Sequence, residues 1–82
     1  MGSELTFRRA QLADKKRTLE EMNLRARSHV AEIRNILDPY TQDHTSLRMN
    51  MGRAEWAALS MLWDEMCELK KQIAAMERDL NG

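Results

Sequence analysis

Ala54 to Leu80, AEWAALSMLWDEMCELKKQIAAMERDL, decides the fold. Within it Leu59, Leu62, Met66, Leu69, Ile73, Met76 and Leu80 step by three and four residues in alternation, the spacing of a and d sites in a heptad seam. A helix of about 3.6 residues per turn keeps all seven on one stripe, so the stretch is expected to be a coiled-coil helix. Trp56 and Trp63 stand seven residues apart in a second column beside that stripe. The apolar face is therefore wider than one partner helix covers.

Working back from this stretch, Asn50 and Gly52 precede it, and before them Tyr40 to Ser46 form a polar cluster suited to a loop. Asp38-Pro39 stops whatever helix comes earlier, because proline disfavours helical geometry at the preceding residue and lacks the amide that continues the ladder. From Glu4 to Leu37 there is neither Pro nor Gly, and helix-forming residues dominate. The expected elements are a first helix over about 4–37, a loop over about 38–46 and a second helix over about 47–80, all in one 82-residue domain. Ser3 is the expected cap of the first helix, and Thr45 or Ser46 that of the second, with Asn50 as a later alternative.

The first helix carries an apolar stripe of Leu19, Met22, Ala26, Val30, Ile33, Ile36 and Leu37 that thins toward the N-terminus. With Leu5, Leu12, Leu19, Ala26 and Ile33 at d, the a sites are Arg9, Lys16, Asn23, Val30 and Leu37. His29 falls at the stripe's edge. A short loop between long helices makes them antiparallel neighbours, and folding back near His44 sets Leu12 beside Met76, Leu19 beside Leu69, Met22 beside Met66 and Ala26 beside Leu62. Charge supports the same alignment: the chain to Leu37 holds eight basic and five acidic residues, the remainder five and eight.

A lone hairpin has only one seam to set against about 1 to 2 kcal/mol of backbone entropy per ordered residue. The helix from Ala54 to Trp63 is apolar on most of its circumference, which calls for burial on more than one side. The expected fold is thus all-α: an antiparallel two-helix coiled-coil hairpin that assembles as a homodimeric four-helix bundle. Ala54, Ala57 and Ala58 would allow close helix approach, with Trp56, Met61 and Trp63 as large side chains at the self-association or partner-binding surface.

Arg9, Lys16, Arg27 and Arg34 fall within about 20° of one another on a helical wheel, and Arg8, Lys15 and Arg17 thicken the N-terminal end of this basic edge. Three roles fit: a solvated edge that pairs with the acidic second helix, a contact for an acidic protein, or a track along nucleic-acid phosphates. Acidic neighbours, zero formal net charge and the lack of interleaved aromatics weigh against the last. The candidate transition-metal ligands His29, His44 and Cys67 show neither HxxxH nor CxxC spacing, and no P-loop, GxSxG or HExxH pattern occurs. No metal, cofactor or enzymatic activity is expected. One cysteine leaves no internal disulfide, no run reaches the roughly 18 apolar residues of a membrane span, and no secretory h-region is present, so a cytoplasmic location is expected. The most concrete function these residues support is a protein-protein interaction module acting as adaptor, chaperone or inhibitor; the alternative is a nucleic-acid-binding dimer.

Overall fold

Two long helices account for nearly all of the computed structural model, which describes residues 2–38 and 43–81: α1, Gly2–Leu37, and α2, Met49–Asn81. The described residues are all helical or irregular, and the two helices pack against each other. Helix formers without an internal break explain the length of α1, and Asp38 has already left the helix ahead of Pro39. Pro39 to Gln42, the expected heart of the loop, lie outside the described residues. The hairpin measures 66 × 16 × 15 Å, with a radius of gyration of 18.7 Å against roughly 12 Å for a compact domain of this length. It is a rod.

Both helix starts differ from the expected ones. Ser3 is inside α1, where Thr6 Oγ1 donates to the Gly2 carbonyl at 2.7 Å, so the first turn holds itself without a serine cap. Thr45 and Ser46 do not cap α2 because Asp43 has engaged them in a 3-10 turn, His44–Ser46. Its carboxylate accepts from the Thr45 amide at 3.0 Å and the Thr45 hydroxyl at 2.7 Å, while the Ser46 hydroxyl donates to the Asp43 carbonyl at 2.8 Å. Leu47 is then extended, and the Arg48 carbonyl accepts the amide of Gly52 at 3.0 Å. That bond moves the start of α2 to Met49.

On α2 the described seam is the heptad row Leu59, Leu62, Met66, Leu69, Ile73, Met76 and Leu80, each buried or half-buried. On α1 the row that joins it is different from the one the heptad assignment favours. Leu12, Leu19, Ala26 and Ile33 face α2 as assigned, but their companions are Lys15, Met22, His29 and Ile36; Arg9, Lys16, Asn23, Val30 and Leu37 are all exposed. A single partner helix covers one companion row, and Met22 and Ile36 take it. Lys15 fits by lying along the seam and donating from Nζ to Gln72 Oε1 at 2.8 Å, its apolar stem covered and its amine at the edge. His29 is a seam residue, not a rim one, with Nδ1 2.5 Å from Glu55 Oε2. Ile36 meets the backbone at Gly52. These three cross-helix contacts lie close to the alignment produced by folding back about His44.

Only Ile36, Leu62 and Ile73 are buried among the described residues. The chain exposes 6874 Å², where a compact monomer of its mass would expose roughly 5,100 Å². The surplus is the cost of one seam along a rod. It leaves large side chains uncovered.

Candidate interaction face

The exposed row on α1 and an exposed row on α2 share one side of the hairpin. Lys16 Nζ lies 2.9 Å from Glu77 Oε1, and this ion pair joins the two rows through long side chains that reach along the rod. The seam contacts Lys15–Gln72, His29–Glu55 and Ile36–Gly52 set the relative heights of the helices, so the nearest levels along this side are Arg9 with Glu77, Lys16 with Lys70, Asn23 with Trp63, Val30 with Trp56, and Leu37 with Met49. Met49 continues the α2 row. Two grooves run along this side: one of about 290 Å³ is lined by Ile33, Ile36, Leu37, Met49, Gly52, Arg53 and Trp56, and one of about 390 Å³ by Trp56, Leu59, Ser60 and Trp63. Trp56 belongs to both, which makes them one continuous apolar surface.

The turn half of the face is therefore apolar and the terminal half charged. Trp56 is 64 % exposed and Trp63 63 %, and Val30, Leu37 and Met49 are exposed beside them. Burial on this scale would bring about 25 cal/mol for each square ångström of apolar surface, so the uncovered tryptophans hold a large unused driving force for association.

The six residues grouped from sequence as a self-association surface do not share that face. Met61 sits two residues before Trp63 and Ala54 two before Trp56, which on a helix is about 160° away, and Ala57 is about 120° from Trp63. Ala54, Ala57 and Met61 are exposed on other sides of α2, while Ala58 is half-buried at the seam. Sequence reasoning missed Val30 and Leu37 as members of the face. Their seven-residue spacing, matching that of Met49, Trp56 and Trp63 on α2, was the available signal.

The basic edge is exposed along its length. Arg8 pairs with Glu4 at 3.1 Å and Lys16 with Glu77, whereas Arg9, Arg27 and Arg34 form no ion pair with the described residues. Arg27 and Arg34 are three residues before and four after Val30, so they flank the apolar face, with Arg53 on the groove opposite. On the reverse side a shallow groove of about 410 Å³ is lined by Thr18, Met22, Asp64, Glu65, Glu68, Leu69 and Gln72. Among the described residues no three His, Cys, Asp or Glu side chains converge on a metal position, and no helix is long and apolar enough to cross a membrane. Cys67 is a half-buried free thiol. The Asp43 carboxyl is held below the usual carboxylate range by the Thr45 hydroxyl and then by the Thr45 amide.

The chain matches no protein-family model, and neither a curated protein nor a solved structure is similar to it.

Proposed function

We propose that this chain is a protein-protein interaction module: a helical hairpin that pairs with a second copy as a four-helix bundle and acts, without catalysis of its own, by binding another protein as adaptor, chaperone or inhibitor. One observation carries the reading. Val30, Leu37, Met49, Trp56 and Trp63 form a continuous exposed apolar face on a rod that has three buried side chains among the described residues. Tryptophan is enriched at interface centres, and an apolar area of this size needs a protein to cover it.

Absolute mass by light scattering across a dilution series, read together with tryptophan emission, tests the reading. A species of about 19 kDa, twice the 9.6 kDa chain, with blue-shifted emission supports self-association through the face. A folded 9.6 kDa monomer with red-shifted emission refutes the dimer and assigns the face to a different protein.

A nucleic-acid-binding dimer draws its support from Arg9, Arg27 and Arg34, which have no acidic partner among the described residues. It draws less than the protein reading, because Arg8 and Lys16 on the same edge are neutralised by Glu4 and Glu77. An electrophoretic shift that disappears at high salt and on charge reversal of Arg9, Arg27 and Arg34 is the result that would favour it.

A further inference from the structure

Resting on the proposed self-association, we infer that the two hairpins pack in parallel, turn beside turn, about a two-fold axis that runs along the rod, with α1 of each copy lying across α2 of the other. The argument comes from the matched levels on the exposed face. Such an axis brings every α1 residue opposite the second copy's α2 residue at the same height. Val30 then meets the second copy's Trp56, Leu37 its Met49, and Arg9 its Glu77, since the seam contacts Lys15–Gln72, His29–Glu55 and Ile36–Gly52 fix those heights within one hairpin. Apolar side chains meet apolar ones in the turn half, and Arg9 meets an anion near the termini, while Lys16 and Lys70, level with each other, stay at the solvated part of the face. Two of each contact form by symmetry, as an isologous interface requires.

The competing two-fold axis runs across the rod and reverses one hairpin relative to the other. With full overlap, that arrangement lays Val30 and Leu37 over the second copy's Lys16 and Arg9, and the tryptophans over its charged terminal half. Buried charge without a partner opposes it. Sliding the hairpins until only their turn halves overlap restores apolar contact, but it discards half of the interface. A face 66 Å long and 16 Å wide offers roughly 1,000 Å² per copy in the parallel arrangement, and about half that when offset. Specific interfaces bury about 800 Å² per partner. Only the parallel arrangement reaches that area while laying the apolar half of one face on the apolar half of the other.

Ser3 and His44 are exposed, lie near opposite ends of the rod and stand outside the face, so they suit distance labels. In a Cys67→Ser background, Ser3→Cys and His44→Cys variants would each carry a nitroxide, with dimer mass confirmed by light scattering and helicity by circular dichroism. Pulsed dipolar spectroscopy is expected to give a distance under about 30 Å between the two copies at both positions. Reversed hairpins separate the Ser3 labels by at least about 50 Å, the length of 35 helical residues. A dimer with that long Ser3 distance overturns the parallel packing and leaves self-association standing, whereas a monomeric mass overturns both. Should Cys67→Ser lose helicity, Cys67→Ala provides the same labelling background.

Discussion

His29 Nδ1 and Glu55 Oε2 lie 2.5 Å apart across the seam, and both side chains are half-buried where heptad spacing calls for apolar residues. Such a polar pair holds alignment at the expense of stability, since each group gives up water to reach the other. Replacing both, His29→Leu with Glu55→Leu, is expected to raise unfolding free energy by about 1 kcal/mol, read from urea denaturation. The single Glu55→Leu change should gain less or lose, because it strands the imidazole against an aliphatic neighbour. A double variant weaker than the parent would show that the pair contributes net stability.

Gly52 offers a second handle. It lies in the first turn of α2 with ordinary helical backbone, and a methyl group there would touch Ile36 Cγ2 at 3.6 Å, normal van der Waals contact. Gly52→Ala therefore adds helix propensity without crowding and is expected to stabilise by about 0.5 to 1 kcal/mol, or several degrees in melting temperature. An unchanged or lowered melting point would mean that the approach of α2 to Ile36 depends on the bare backbone.

The turn supplies a pH dependence. The Asp43 carboxyl is held below its usual range by bonds from Thr45, so the folded chain binds fewer protons there than the unfolded one. Its contribution is fully present above the ordinary carboxylate range and is lost as acid carries the pH down through the folded value. Thermal melts should accordingly separate the parent from Asp43→Ala at about pH 6, with the gap closing as the pH falls below the ordinary carboxylate range. A gap independent of pH would locate the effect of the substitution outside the carboxylate's charge.

Residues explain why one helix was more legible than the other. Every seam position from Leu59 to Leu80 on α2 is apolar, so only one register exists. On α1 two companion rows compete: Lys15, Met22, His29 and Ile36 against Lys16, Asn23, Val30 and Leu37. The first alternates polar and apolar residues, the second turns from polar to apolar toward the loop, each holds two of either kind, and local pattern cannot rank them. Packing does: the row holding Met22 and Ile36 enters the seam, and the other becomes the exposed face. The start of α2 was hidden for a related reason. Asp43, Thr45 and Ser46 are all good capping residues, and only their mutual hydrogen bonds show that they close a separate turn.

That competition between rows yields the sharpest test of which surface associates. Trp56 and Trp63 lie on the apolar face with Val30 and Leu37, while Met61, as exposed as either tryptophan, points about 160° from Trp63. If the face is the interface, Trp56→Ala and Trp63→Ala should each weaken association by about 2 kcal/mol, roughly thirty-fold in the dissociation constant, and Met61→Ala should leave it within a factor of about two. All three positions are exposed in the single hairpin, so helicity at matched concentration separates lost association from lost folding. Sedimentation equilibrium across a dilution series reads the constants directly. A loss at Met61 comparable to that at the tryptophans would shift the interface to the opposite side of α2, where Ala54 and Ala57 stand, and would dissociate the Arg27 and Arg34 flank from it.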